Sequence, residues 1–300
     1  MSRTRVSGVD IAGIALGIVV IAIVIGSVVL LARGRLFSFQ WAGPDPKQFW
    51  HDRPFQHGGL REEKDEQVTG AFTTIEIRNI AGEIDIHGGS QDGVQIHSVK
   101  TAMFPAAMEN LTVAVENQGS KLLIEERHDA GFFMSAGTVS FTITLPKGIK
   151  AIQAHSVSGS ITVRNVPPGI DQNLTTISGS ISTDGARDLD ASSTSGSVQF
   201  ASAGDRLEVH SVSGSVQGRI EALGRGGSVN VRTVSGSVDV EAPTSLDAII
   251  SLRSVSGGVS CDLPLTAAQQ GRNTLDGKIG SGSGRVEITT TSGPITIRKM

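Results

Sequence analysis

A short motif centred on a Ser-Gly or Ala-Gly pair recurs along most of this 300-residue chain and constrains its fold more than any other feature. Relative to the glycine, apolar residues stand at −7, −5, −2, +2 and +4, and a small polar residue usually stands at −3, as in VNVRTVSGSVDV around Gly236. The repeat glycines, which we expect to have a structural role, are Gly82, Gly159, Gly179, Gly196, Gly214, Gly236, Gly257 and Gly293. From Gly159 to Gly257 they are 20, 17, 18, 22 and 21 residues apart, and we interpret the next interval of 36 as two turns of 18. A period of about 20 residues is typical of a solenoid.

The alternation within each copy has a period of two and predicts a strand on both sides of the glycine. The apolar positions change parity between −5 and −2, so we expect a bend near the small residue at −3, with the −2 residues stacked in the core. Those residues include Val157, Val212, Val234 and Val255. The corner hydroxyls that we expect to bind backbone groups belong to Ser156, Thr176, Ser193, Ser211, Thr233 and Ser254. The glycine three residues later permits a close approach of the next coil.

These features predict an all-β fold: a right-handed single-stranded β-helix or β-solenoid with coils, here called rungs, of about 20 residues, preceded by one transmembrane α-helix. The solenoid domain is predicted over 70–300, less regular over 70–150 and regular over 151–300. Alternation persists at 94–99, 111–115, 121–126 and 138–145, and Gln118 to Ser120 are predicted to form a hairpin turn. On the last strand, we expect Pro294, Arg298 and Lys299 to block an exposed sheet edge.

A membrane anchor is predicted near the N-terminus. After a short tail, 1–10, the run from Ile11 to Leu31 contains no charged residue and would be about 31 Å long as a helix, so we predict a transmembrane helix over 11–32. The run is too long for a secretory signal and is followed by Arg33 and Arg35. Arg3 and Arg5 before the run balance these two, so the charge rule does not decide the orientation. Gly13 and Gly17 offer a small-residue face for a homodimer, although glycine is common in membrane helices.

The segment 33–69 is predicted to be a juxtamembrane linker. Its 37–55 region contains six of the twelve aromatic residues of the chain and three prolines, a composition that favours the headgroup layer over regular structure. The alternative is an aromatic plug that packs on the first rung.

Composition excludes several kinds of partner and cofactor. The net charge is −3, from 26 Lys and Arg against 29 Asp and Glu, which argues against nucleic-acid binding. Cys261 is the single cysteine, so an intramolecular disulfide or a cysteine-based zinc site is excluded; its +4 position predicts a buried, inert thiol. The glycine-rich run 224–227 lacks the Lys and Ser/Thr of a phosphate loop. We predict no cofactor and no metal.

Two groups of side chains are candidates for a metal site or a catalytic site. Asp85 and His87 flank a core position and could begin a metal site, but a solvated strand face is the favoured explanation because the sequence identifies no further ligand. Asp184, Asp188 and Asp190 form the densest carboxylate group in the repeats, and paired carboxylates are what glycoside hydrolysis needs. Ordinary loop turns also account for them.

His155 and His210 precede the corner serine and are expected to face outward, where they could sense pH or simply be solvated. The Ser-Gly serines recur along the stack without a unique His-Asp pair, which indicates structure rather than nucleophilic catalysis. No catalytic residue is predicted.

The repeats resemble those of the bacterial "putative adhesin" family of β-strand-repeat domains, whose biochemical activity is unknown. The residues that carry the resemblance are IRNIAGEIDI at 77–86, TLPKGI at 144–149, the SVSGSI and TVSGSV cores and the closing IGSGSGRVEITTTSGPITI at 279–297. The sequence departs from the repeat at Thr194, Thr291 and Gly258. The resemblance implies a β-solenoid at the cell envelope, with some relatives linked to envelope stress, and transfers no catalytic residue. It favours an extracytoplasmic C-terminal domain.

The leading hypothesis is a single-pass protein of the bacterial cytoplasmic membrane, anchored in the lipid bilayer through 11–32, whose solenoid is a non-enzymatic binding or scaffold module for an envelope polymer or envelope protein. One alternative is a polysaccharide-acting enzyme, which requires Asp184, Asp188, Asp190 or Asp239 to converge in a groove. Another is a membrane-associated solenoid that forms polymers.

Overall fold

The computed structural model describes residues 59–128 and 137–300. Almost all regular structure in these residues is β-strand, as the alternation of apolar and polar side chains predicts. One short helix, α1, spans Pro105–Glu109. The strands are β1 Leu60–Val68, β2 Thr74–Ala81, β3 Ile84–Gly88, β4 Val94–Ala102, β5 Leu111–Gln118, β6 Lys121–His128, β7 Gly137–Leu145, β8 Ala151–Ser158, β9 Ile161–Arg164, β10 Ile170–Ser178, β11 Ile181–Asp184, β12 Ala186–Ser195, β13 Val198–Ser202, β14 Arg206–Ser213, β15 Val216–Ile220, β16 Ser228–Ser235, β17 Val238–Ala242, β18 Ala248–Ser256, β19 Val259–Cys261, β20 Thr266–Gln270, β21 Thr274–Ile279, β22 Gly284–Ser292 and β23 Ile295–Lys299.

The strands form two sheets. Sheet A has the order β1-β4-β7-β3-β9-β11-β13-β15-β17-β23-β19, and sheet B has the order β20-β21-β18-β22-β16-β14-β12-β10-β8-β2-β6-β5. In each regular rung, a long strand of sheet B leads through the Ser-Gly step into a short strand of sheet A. Neighbouring rungs pair in parallel and in the repeat register, so that Val209 of β14 lies opposite Val231 of β16. The predicted all-β, solenoid-like fold is confirmed.

The core lies between the two sheets. In the rung of β14 and β15, the buried side chains at −7, −5, −3 and +2 are Leu207, Val209, Ser211 and Val216. The first strand therefore keeps its alternation through −3, and the change of parity occurs at the Ser-Gly step itself. The −3 side chain is buried inside the corner and its polar group can donate to a backbone carbonyl there, which explains the Ser or Thr at −3.

The prediction that the −2 residues belong to the core is wrong. Val157, Val234 and Val255 are 40%, 48% and 69% exposed, so this column lies on the outside of the corner. A β-branched residue suits the outside of a strand as well as the core. The column therefore looked like a core position in the sequence.

The order of the last rungs also differs from the prediction. β22 lies between β16 and β18, and β23 lies between β17 and β19, so the C-terminal rung is inserted into the stack. The interval of 36 residues before Gly293 is not two turns, because it holds the antiparallel hairpin of β20 and β21, which runs back along β18. Pro294, Arg298 and Lys299 therefore do not block an edge.

Asp247 holds the turn that leads into this inserted rung. Its carboxylate accepts hydrogen bonds from the Ser281 hydroxyl at 2.7 Å, the Ser283 hydroxyl at 3.0 Å and the Gly282 amide at 2.6 Å. The Ser281 hydroxyl, followed by the Ser283 hydroxyl and the two backbone amides, lowers the pKa of Asp247 to about 2. The carboxylate thus ties the loop after β21 to the loop before β18.

The N-terminal part is a sheet cap continuous with the solenoid, as predicted. β6 and β7 pair in parallel with β2 and β3, and β5 returns as a hairpin through a turn at Gly119, whose φ is +75°. β1 pairs antiparallel with β4. It lies within the segment assigned to the linker, because its side chains are charged and mostly exposed and so lack the alternation that marked the other strands.

One rung has a polar bridge inside the core. Gln172 occupies the −7 position and Thr183 the +4 position of the rung around Gly179, and both are buried. The Thr183 hydroxyl donates to Gln172 Oε1, and Gln172 Nε2 donates to the Asp184 carbonyl at 2.9 Å. Both departures from the apolar template thus fall in one rung and satisfy each other across the two sheets.

Thr183→Val should destabilise the protein by about 1 to 3 kcal/mol, because Gln172 Oε1 then loses its donor while it stays buried. The double variant Gln172→Leu, Thr183→Val should recover part of that loss, since both polar groups of Gln172 are removed together and only the Asp184 carbonyl loses a donor. Urea unfolding of both variants measures this coupling. Equal losses in the two variants would contradict it.

The predicted tail 1–10, transmembrane helix 11–32, Gly13/Gly17 face and linker up to residue 58 lie outside the described residues. Within residues 59–128 and 137–300, no helix has the length and apolar character needed to cross a bilayer.

Candidate functional site

The repeat glycines form a ladder along the Ser-Gly corner. A Cβ on Gly214 would lie 2.1 Å from the carbonyl oxygen of Gly196, and one on Gly236 would lie 2.1 Å from that of Gly214. The same contact, at 1.9 to 2.2 Å from the carbonyl oxygen of the preceding rung, recurs at each member: Gly82, Gly159, Gly179, Gly196, Gly214, Gly236, Gly293 and Gly257, in stacking order. A side chain is therefore excluded at these positions, and the ladder is structural.

The hydroxyls at −3 line the inside of this corner. Those of Thr176, Ser193 and Ser254 donate to the glycine carbonyl of the preceding rung at 3.2, 3.2 and 3.0 Å, as predicted. The Ser156 and Thr233 hydroxyls have no hydrogen-bond partner within the described residues. Some hydroxyls of this column therefore form hydrogen bonds at the corner, and others do not.

A polar groove of about 550 Å³ lies on the outer face of sheet A and is the strongest candidate binding site. It crosses six neighbouring strands, from β9 to β23, which at about 4.8 Å per strand extends over about 24 Å. The small side chains of Ser182 and Ala201 form its floor, and the long side chains of Arg164 and Arg219 form its walls. The outward residues at +3 and +5 that line it are Thr162, Arg164, Ser182, Asp184, Gln199, Ala201, Gln217, Arg219, Asp239, Glu241 and Arg298.

Ion pairs and amide groups hold the walls of the groove in place. Arg219 donates to Glu241 Oε2 at 2.8 Å, Arg298 donates to Asp239 Oδ2 at 2.6 Å, and Gln199 donates to Gln217 at 3.3 Å. Because each partner comes from the adjacent rung, the stack presents hydroxyl, amide and neutralised charged groups in line. Such a surface can form many hydrogen bonds with an extended polar ligand.

Sequence reasoning missed this groove. The residues that form it were visible as polar outward positions at +3 and +5, but their significance depends on which rungs are neighbours. Arg298 reaches Asp239 only because the C-terminal rung is inserted beside β17. No local sequence pattern predicts the contact between Arg298 and Asp239.

The four aspartates considered for glycoside hydrolysis lie on two different sheets. Asp184 and Asp239 line the groove on sheet A, whereas Asp188 and Asp190 lie on the outer face of sheet B. Three strand spacings, about 14 Å, separate β11 from β17, which exceeds the 5 to 10 Å that a glycosidase pair requires. The groove therefore does not bring Asp184 and Asp239 together as a catalytic pair, and Asp188 and Asp190 lie outside it.

Asp85 and His87 contact each other, with 3.0 Å between Asp85 Oδ2 and His87 Nε2. Arg164 also donates to Asp85 Oδ2 at 2.6 Å, which neutralises the carboxylate. No group of three or more His, Cys, Asp and Glu residues suited to a metal ion occurs in residues 59–128 and 137–300. The pair is best explained as a solvated strand face.

His155 and His210 lie on the outer face of sheet B and are half-buried. Burial lowers the pKa of His155, with Arg78 adding to the effect and Glu76 opposing it. Burial likewise lowers the pKa of His210, assisted by Arg232. Both imidazoles are therefore biased toward the neutral form.

Cys261 lies on the edge strand β19 and is half-buried rather than buried. The edge explains the difference, since no further strand of sheet A covers β19 among the described residues. Partial burial still raises the pKa of the Cys261 thiol, which disfavours the reactive thiolate.

In a comparison with known families, residues 135–298 match the family described as "Toastrack DUF4097". This match covers the regular rungs, the inserted C-terminal rung and the groove. No curated protein matches the chain.

Several solved structures are similar to this chain at low sequence identity. A "putative adhesin" from Parabacteroides merdae ATCC 43184 is 11% identical, with a TM-score of 0.44, over 79% of this chain and 96% of its own. A "putative adhesin" from Bacteroides fragilis NCTC 9343 is 16% identical, with a TM-score of 0.40, over 80% and 97%. A "putative cell adhesion protein" from Clostridium sporogenes ATCC 15579 is 14% identical, with a TM-score of 0.39, over 80% and 100%.

Proposed function

The chain belongs to the Toastrack DUF4097 family, and from that membership we propose that it is a membrane-anchored envelope protein whose solenoid is a non-enzymatic, adhesin-like binding or scaffold module. Its ligand is an extended polar polymer of the cell envelope. The observation that carries this proposal is the groove on sheet A, whose polar groups come from six consecutive rungs in one line. A role in envelope stress, as implied by the family resemblance, would use the same surface.

The groove suits a chain-like ligand better than a small molecule. It is open to solvent and long, and most of its outward side chains carry hydroxyl, amide or charged groups, whereas small-molecule sites are usually enclosed apolar pockets. Each of the six rungs contributes at least one polar side chain to the groove, so a ligand with repeated polar units can bind several rungs at once.

Ala201→Arg tests this proposal because it fills the low floor of the groove. The matched control is Ser192→Arg, which lies on the outward face of sheet B in the same rung. Full-length protein in detergent should co-sediment with isolated peptidoglycan sacculi, and Ala201→Arg should weaken the apparent affinity about tenfold or more, while Ser192→Arg should not. Equal binding by the two variants, or no binding by the parent, would refute the groove as the site.

The proposed topology places one helix over 11–32 in the cytoplasmic membrane and the solenoid outside the cytoplasm, with right-handed crossovers between rungs. Protease added to cells without an outer membrane should digest the solenoid without permeabilisation. Complete protection of residues 59–300 in such cells would place the domain on the cytoplasmic side.

The polymer hypothesis loses the argument that had opposed it, because β23 is not an edge. The C-terminal edges in the described part of the chain are β19, with three residues, and β20, with five. Strands this short are poor templates for end-to-end association. We therefore keep binding as the proposed function.

A further inference from the structure

Three exposed apolar side chains lie at the N-terminal end of the stack. Met103, Phe104 and Leu60 are 72%, 49% and 41% exposed. Leu60 pairs with Ala102 across β1 and β4, and Met103 directly follows Ala102. These three residues, the apolar tip, therefore share one end of one strand pair, at the point where β4 leads toward α1.

The same end is where the chain arrives from its N-terminal 58 residues. Gly59 precedes Leu60, and a Cβ on Gly59 would lie 3.3 Å from the Ala102 carbonyl oxygen. The incoming segment contains the uncharged run from Ile11 to Leu31 and the aromatic region 37–55, whose composition favours the lipid headgroup layer. The described domain thus begins beside the apolar tip.

The acidic strand β1 next to the tip carries little uncompensated charge. Lys100 lies 3.2 Å from Glu62, Arg61 lies 2.7 Å from Glu63, and Lys64 pairs with Glu66. His97 Nδ1 lies 2.7 Å from Asp65. These contacts reduce the repulsion that a run of free carboxylates would meet at a membrane surface, where anionic lipids are common.

We propose that the apolar tip inserts into the headgroup boundary of the bilayer that carries the anchor, so that the N-terminal end of the solenoid rests on the membrane. Phe and Leu side chains are favourable at this depth, and Met is similarly apolar. The opposite end of the stack, the hairpin of β20 and β21, then lies farthest from the lipid. This inference depends on the proposed membrane anchor, and the test below separates the two.

The test uses full-length protein reconstituted into phosphatidylcholine vesicles, with Cys261→Ser as the background. Met103→Cys carries an environment-sensitive fluorophore, and Gln270→Cys in β20 carries the same fluorophore as a control. Spin-labelled lipid should quench the label at 103 about twofold or more and leave the label at 270 nearly unchanged. Equal quenching at the two sites, or none at 103, would overturn the proposal.

A second variant tests the contribution of the tip itself. Phe104→Ser should reduce the quenching at 103, whereas Met300→Ser, which removes another exposed apolar side chain, should not. Carbonate extraction of the same vesicles then tests the anchor. Retention without quenching at 103 would refute the tip and keep the anchor, while quenching before extraction followed by release would support the tip and refute the anchor.

Discussion

Gly214→Ala should destabilise the protein by at least about 3 kcal/mol, one of the largest effects expected for a single methyl group. A Cβ at this position would lie 2.1 Å from the carbonyl oxygen of Gly196 and 2.6 Å from its carbonyl carbon. Both atoms are backbone, in a rung with neighbours on both sides, so neither can move without shifting the ladder. The effect is steric, because Gly214 does not have a positive φ and its backbone conformation would not itself strain an alanine.

The matched control is Gly258→Ala, because a Cβ there has no atom within 4 Å. Thermal unfolding should show a large fall in Tm for Gly214→Ala and a change close to zero for Gly258→Ala. Gly257→Ala, one residue away from the control, should again be destabilising, since its Cβ would lie 2.0 Å from the Gly293 carbonyl oxygen. A stable Gly214→Ala protein would contradict the glycine ladder.

Removal of residues 284–300 should abolish the ordered packing of β18 and β21 rather than simply shorten the solenoid. The deleted segment contributes buried Val286, Ile288, Ile295 and Ile297. Burial of each is worth about 1.5 to 3 kcal/mol, so the total loss is comparable with the whole stability of an ordinary domain, about 5 to 15 kcal/mol. Because the rung is inserted, its loss removes the interfaces with both neighbours at once.

Hydrogen exchange measures this outcome strand by strand. Amides of Ala248–Ser256 should lose protection in the shortened chain, while those of β10 and β12 should keep it. A chain that lacks only Lys299 and Met300, both exposed, is the control and should exchange like the parent. Unchanged protection of β18 after the larger deletion would mean that β22 is not needed between β16 and β18.

The repeat glycines and the strands around them could be predicted because the same local pattern recurs in each copy. Alternation along VNVRTVSGSVDV needs only the period of a strand, and Gly236 is marked by the same spacing in every copy. The −2 column could not be placed, because Val234 is compatible with a core or an outer position until the bend is located. The polar bridge of Gln172 and Thr183 was visible only as two departures from the template.

By itself, the sequence determined that rungs of about 20 residues stack in parallel with a glycine at each corner, because side-chain alternation acts within one copy of the motif and each glycine meets the carbonyl oxygen of whichever rung is its neighbour. Tertiary structure alone decided which rungs are neighbours. Val229, Val286 and Ile250 occupy the same register position in β16, β22 and β18, so each rung fits beside any other as far as the repeat is concerned. The hairpin of β20 and β21 and the turn held by Asp247 select the inserted order, and that order brings Arg298 to Asp239 and completes the groove.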